Sequence, residues 1–166
     1  MSYYEQPTNA VLNVSAYIFK RLRKLGPVEA IKLQKLLYYC NAWSLAGRGY
    51  PLFQDEIQAW KHGPVIASIY PLHRGEIDLN QWPHGSPHDL SVEDQQLVDD
   101  IVDTYGGLSG WRLRNLTHQE TPWIEAWEKA RQGKILRVPI DHEMIRDFYR
   151  EEQTVGWPKN AAIFRK

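Results

Sequence analysis

Residues 28–46, VEAIKLQKLLYYCNAWSLA, decide the fold. Ile31, Leu33, Leu36, Leu37, Tyr38, Tyr39, Cys40, Trp43 and Leu45 leave no wide polar face on a helix spanning this stretch. A helix that is apolar nearly all round is a central one, packed on several sides. Lys32, Gln34, Lys35 and Asn41 interrupt it, and they must reach solvent or find partners. Gly47 and Gly49, in the loop AGRGYP, end it.

Working outward, a first helix is expected from about Asn9 to Leu25, after a short N-terminal arm over 1–8. Val11, Val14, Ile18, Leu22 and Leu25 recur every three or four residues and make one apolar stripe. Lys20, Arg21, Arg23 and Lys24 fall in its last turns, where cations oppose the helix dipole. Pro27 suits the start of the next helix. Beyond the central helix, Ile57–Trp60 reads as a small strand. Gly63-Pro64 reads as the opening of another helix, with Val65, Ile66, Ile69 and Leu72 inward and a break at Pro71. Trp60 is expected to fill the core beside the central helix. Residues 75–90 lack periodicity and hold two glycines and two prolines, so they read as a loop.

Ser91 reads as an N-cap for a helix carrying Val98, Ile101, Val102 and Tyr105, with Asp94 in the capping-box slot and Gly106-Gly107 as its stop. Ser109 caps a short helix through Leu116. Thr121-Pro122 opens one that carries Trp123, Ile124, Trp127 and Ala130. Ile135–Val138 is a possible strand, and Asp141 caps a last helix with Ile145, Phe148 and Tyr149 inward. The tail over 156–166 is expected to be irregular. The fold class is thus mainly α: a compact single domain over 1–166 around a central apolar helix, with at most a small two- or three-stranded β element.

Composition narrows the chemistry. The chain has 166 residues, room for one core, and balances 20 Lys and Arg against 20 Asp and Glu. A polyanion partner has no global field to follow, so nucleic acid is not expected unless a local patch serves. The one cysteine, Cys40, excludes an internal disulfide and sits in the apolar run LLYYCNAW, where it reads as a small buried hydrophobe. There is no secretory signal at the N-terminus and no apolar stretch near the roughly 20 residues that span a bilayer, so a cytoplasmic protein is expected. His84 and His88 are separated by Gly85-Ser86-Pro87, which forbids a shared helical face, and no metal motif, phosphate loop or nucleophile elbow occurs. No metal and no cofactor are expected. Asp99, Asp100 and Asp103 read as a solvated helix face. His118, near Glu120, is the one acid–base candidate, set against a purely structural imidazole.

Three stretches in this order carry a resemblance: KLQKLLYYCNAWSLAGRGYPLF (Lys32 to Phe53), IQAWKHGPVIASIY (Ile57 to Tyr70) and LTHQETPWIEAW (Leu116 to Trp127). Together they resemble the Panacea domain, the phage-associated SocA-like or GepA-like group of bacterial and phage proteins. Lys32, Lys35, Trp43, Trp60, Gly63, Pro64, Thr117, His118, Pro122 and Trp123 are the residues that match the pattern. The resemblance implies a compact helical domain that serves as the antitoxin of a type II-like toxin–antitoxin pair. It would act without catalysis, neutralising by direct contact a cognate toxin encoded by a neighbouring gene. One branch of the family implies a second form, a proteolytic adaptor that delivers the toxin to a protease. Many relatives carry an added N-terminal segment, and with about eight residues before the first helix such a repressor domain is expected to be absent.

Partner contacts are expected on aromatic and arginine anchors. One candidate surface is Tyr70, His73 and Arg74 around Pro71, with Trp82 in the loop beyond; the second is the segment from Trp111 through Arg112 to Arg114. Lys61 and His62, placed by this reading at a helix N-terminus, are either contact residues or plain loop residues. The alternative of another class is an enzyme using His118 and Glu120 as an acid–base pair.

Overall fold

The computed structural model describes residues 4–154; the expected irregular tail, 156–166, lies outside them. The apolar band forms the central helix. The helix α2 (Ala30–Arg48) buries Leu33, Leu36, Leu37, Tyr38, Tyr39, Cys40 and Trp43 almost completely. Each such large side chain removed from water contributes roughly 1.5–3 kcal/mol before conformational entropy is counted.

Five helices surround or flank this axis. α1 (Asn9–Arg23) lays Val11, Val14, Ile18 and Leu22 on the core, and α3 (Val92–Tyr105) adds Leu97, Val98, Ile101 and Tyr105. α4 (Gly110–Thr117) inserts Leu113. α5 (Thr121–Gly133) covers the hairpin with Trp123, and α6 (His142–Thr154) lies along α2 through Ile145 and Tyr149. The caps expected from sequence form: Ser91 accepts from Asp94 N, Ser109 from Arg112 N, and Asp141 from Glu143 N, while Thr8, which the sequence reading did not single out, accepts from Val11 N. The Asp94 carboxylate does not close a capping box; it binds Arg48 at 2.7 Å.

Two small antiparallel sheets complete the described chain. β1 (Val28–Glu29) pairs with β4 (Asp78–Leu79). β2 (Ile57–Trp60) lies between β3 (Gly63–Ile66) and β5 (Val138–Pro139). Single 3₁₀ turns occur at Tyr70–Leu72 and Pro87–Asp89.

Several boundaries differ from the sequence reading. Gly63-Pro64 opens a strand, not a helix. Proline is tolerated there because β3 is at the sheet edge, where no ladder bond is lost. Residues 28–29 pair with β4 instead of starting α2, which then runs past Gly47 to a left-handed Gly49 (φ 82°). α1 ends at Arg23, and Leu25 is exposed as the chain turns through Gly26 toward β1. Only Val138 of the expected strand at 135–138 joins β5, leaving Ile135 and Leu136 exposed. Ile124 faces solvent, and Trp60 is half-buried at the surface, not in the core. Asp99 and Asp103 are not merely solvated: Arg21 bridges both, and Tyr17 donates to Asp99.

The polar residues of α2 organise the chain around it. Asn41 Oδ1 accepts from Leu52 N (2.8 Å) and Phe53 N (3.1 Å). The Gln34 amide takes both the N–H (2.8 Å) and the carbonyl (3.3 Å) of Ile66, closing the outer edge of β3 as another strand would. Asn41→Ala orphans two buried N–H groups, so we expect it to lower the unfolding free energy by roughly 2–4 kcal/mol in urea denaturation.

Candidate partner-binding site

The site is built around Gly63, where the β2–β3 hairpin crosses α2 and α4. Lys61-His62 form the two-residue hairpin turn, and Trp60 pairs with Gly63. The backbone of Gly63 has φ 110°, a left-handed conformation that favours glycine. A Cβ there would lie 2.6 Å from Lys35 Cε and 2.9 Å from Thr117 Oγ1. The matched residues Lys35, Gly63 and Thr117 therefore meet at one close crossing of three elements.

Lys35 is 1 % exposed and donates one hydrogen bond, to the Pro64 carbonyl at 3.1 Å. Burial, reinforced by the nearby Arg114 charge, lowers its pKa to about 7. His118 caps the end of α4 and stacks face to face on Trp123, with centroids 3.7 Å apart and planes 8° from parallel. Trp123 in turn donates Nε1–H to the Trp60 carbonyl at 2.8 Å, fixing α5 to the hairpin. Burial first, then the charges of Arg114, Lys35 and His62, lowers the His118 pKa to about 4. Its Nε2 has no hydrogen-bond partner among the described residues. The ring is stacked on Trp123 and feels the charges of these cationic groups.

At the surface above this crossing, Arg114 lies 4.4 Å over the exposed Trp111 ring, and the His62 ring is 5.8 Å from the same indole. Arg114 Nε is buried without a partner. Burial and the charges of Arg114, Lys61 and Lys35 lower the His62 pKa. Among the described residues, the charged groups acting on Lys35, His62 and His118 are all basic. The hairpin turn and α4 thus bring together Lys61, His62, Trp111 and Arg114, which are remote in sequence.

Glu120 belongs to another environment. Its carboxylate accepts from Tyr39 OH at 2.6 Å in a buried aromatic cluster, where Tyr39 stacks on Tyr105 at 4.2 Å. Trp43 Nε1–H donates to Tyr105 OH at 2.7 Å, and Tyr149 OH to Tyr38 OH at 3.2 Å. Burial raises the Glu120 pKa to about 7 against the lowering effect of the tyrosine hydrogen bonds. No hydrogen bond joins it to His118, so the acid–base pair considered from sequence is not assembled.

The other sequence candidates are dispersed. Tyr70 and Arg74 line a cavity of about 520 Å³ next to the hairpin, with Lys61 at its edge. Trp60, Trp127, Tyr4 and Arg137 also line it; sequence reasoning missed the last three for this role, because residues so far apart share no local pattern. His73 is buried and accepts at Nε2 from the Gln34 amide (2.9 Å), which withdraws it from any contact surface. Trp82 packs toward α1, donating to Ser15 Oγ at 2.9 Å. Arg112 lies on a different face of α4, beside Leu108 and Leu116. Pro122 is buried at the start of α5. Lys32 is half-buried, and burial outweighs Glu29 in lowering its pKa. Cys40 is fully buried, which pushes its thiol pKa far up and leaves it inert. Among the described residues no cluster of three His, Cys, Asp or Glu side chains could hold a metal ion, and no helix is long and apolar enough to cross a membrane.

The lysine makes a testable signature. Lys35 has a folded pKa of about 7 against 10.5 when free, so between these values the unfolded chain binds the extra proton and stability rises with pH. Glu120 works in the opposite sense at lower pH, since its raised pKa removes stability as pH climbs from 4.5 to about 7. Lys35→Met should therefore flatten the pH 7–10 limb of the unfolding free energy by a few kcal/mol at most, at about 1.4 kcal/mol per unit, while leaving the limb below pH 7 in place. Urea titrations of both proteins across pH 5–10 check this.

A family model described as antitoxin SocA-like, Panacea domain, matches residues 33–124. The curated protein Antitoxin SocA of Caulobacter vibrioides (strain NA1000 / CB15N) is 41% identical over 44 residues, which cover 26% of this chain and 23% of that relative. The match thus spans about a quarter of the relative's length. No solved structure matches. The family model takes in α2, the β2–β3 hairpin, α4 and the start of α5, the elements that meet at Gly63. On that match, over more than half of its length, the chain belongs to the antitoxin SocA-like family with the Panacea domain.

Proposed function

We propose that this protein is the antitoxin of a type II-like toxin–antitoxin pair and acts in the cytoplasm as a non-enzymatic binding protein. It holds a cognate toxin, encoded by a neighbouring gene, through the face formed by the hairpin turn and α4. The observation that carries the reading is that Lys35, Gly63 and Thr117, all within the family match, meet at one crossing of α2 with the hairpin and α4, the two elements that also carry the exposed Trp111, with Arg114 over its ring, and His62. Such a rigid base beside a Trp and an Arg is how protein contact surfaces concentrate their binding energy. The aromatic cavity beside Trp60 extends the same face and offers a recess for an apolar side chain of the toxin. Balanced net charge, and His118 apart from Glu120, weigh against nucleic-acid binding and acid–base catalysis respectively.

Growth rescue tests this reading. The neighbouring open reading frame is induced alone and together with this protein, with growth and both protein levels recorded. Toxicity of the neighbour alone, rescue on co-expression and a stable complex of the two proteins are expected. Disappearance of the neighbour's product during rescue would instead indicate delivery to a protease, and toxicity without rescue would end the antitoxin reading.

A further inference from the structure

The patch above Gly63 has an unbalanced charge. Arg114 has no ion pair with any described residue; one terminal nitrogen binds only the neighbouring Asn115 amide oxygen at 2.8 Å. Its Nε is both buried and unpartnered, in contrast to Arg21 and Arg48, each of which bridges a carboxylate on α3. His118 Nε2, on the next turn, is likewise buried and unpartnered. Lys35 lies beneath with a single acceptor for three N–H groups, and Lys61 and His62 approach from the hairpin turn. Leaving a buried charged donor unpaired costs more than leaving a neutral one, so the arrangement is at its most favourable only when an acceptor arrives from outside.

We propose that this patch seats a carboxylate side chain, an Asp or Glu on the surface of the partner protein, between the Arg114 guanidinium and His118 Nε2, with Trp111 and His62 as its rim. The inference rests on the antitoxin reading for the identity of the partner, and on charge complementarity for its chemistry. A guanidinium Nε–H next to a terminal N–H forms the fork that matches two carboxylate oxygens. Stacking on Trp111 holds that fork flat without using its donors. With its proton on Nε2, a neutral His118 supplies a third donor. The exposed indole gives the rim the aromatic surface that protein interfaces use, whereas a chain with zero formal net charge lacks the field that gathers a polyanion. The incoming carboxylate balances the charge of Arg114, which has no ion pair with any described residue.

Two measurements decide it. In the first, the Arg Nε–H and imidazole NMR signals of the full chain are followed during titration with sodium acetate, against sodium chloride at matched ionic strength. The Arg114 and His118 signals should move saturably with acetate and not with chloride, and the His118 response should vanish in Arg114→Gln. In the second, binding to the product of the neighbouring open reading frame is compared for the parent, Arg114→Gln, His62→Ala and the control Arg112→Gln, each checked for an unchanged melting temperature. Arg114→Gln should weaken binding at least about tenfold and Arg112→Gln should not. If Arg114→Gln melts early, His62→Ala takes its place as the deciding variant, with a smaller loss of the same sign. An acetate response no larger than that of chloride, or deciding variants that bind as the parent does, overturns the carboxylate site and leaves the antitoxin reading intact. Failure of the parent itself to bind the neighbour sinks the antitoxin reading, and the acetate titration then decides the site alone.

Discussion

The described structure depends on enclosing α2. A helix buried on all sides cannot send its polar side chains to water, so Gln34, Lys35, Asn41 and Ser44 draw their partners from the chain wrapped round it. What they find is backbone: Ile66, Pro64, the amides of Leu52 and Phe53, and the Tyr50 carbonyl. The segment from Tyr50 to Ile66 is thereby fixed to the helix by directional bonds, and a hairpin too short to be stable alone acquires a defined place.

Placement of the hairpin determines the rest of the site. Because Lys35 and Thr117 pack against the α-carbon of Gly63, no side chain larger than hydrogen fits, and the turn residues Lys61 and His62 project beside α4. Trp123, bonded to the Trp60 carbonyl and stacked on His118, brings α5 to the same point. One turn along α2 from Lys35, Tyr39 meets Glu120 among the buried tyrosines, where burial favours the protonated carboxyl. The helix thus presents Lys35 to the Gly63 crossing and Tyr39 to the buried Glu120, and both Lys35 and Glu120 lie in environments that disfavour their charged forms.

For the binding role proposed above this arrangement has a physical use. The buried polar groups fix geometry, while Trp111 stands exposed where a partner can reach it. Trp111 and Arg114 are held in place by α4, whose own position is set by Leu113 in the core and by the Ser109 cap at its start. A surface prepared in this way loses little conformational entropy when a partner docks.

The sequence by itself determined the central helix, the caps at Ser91 and Ser109, the arrest of α3 at Gly106, the β2 strand and the inertness of Cys40, because each follows from local periodicity, capping chemistry or an apolar neighbourhood. It also carried the family, through three stretches in a fixed order. Other features depended on groups far apart in the chain. Gly63-Pro64 has the local signature of a helix start, and only its pairing with β2 at a sheet edge makes it a strand. Leu25 continues a helical stripe in the sequence, but the chain must turn there to reach β4. Tertiary structure alone separated His118 from Glu120, drew His73 inward to Gln34, and set Arg114 beside His62 across fifty-odd residues of chain. Hydrogen bonds and charges act through space, and the distances they depend on exist only once α2 has been enclosed.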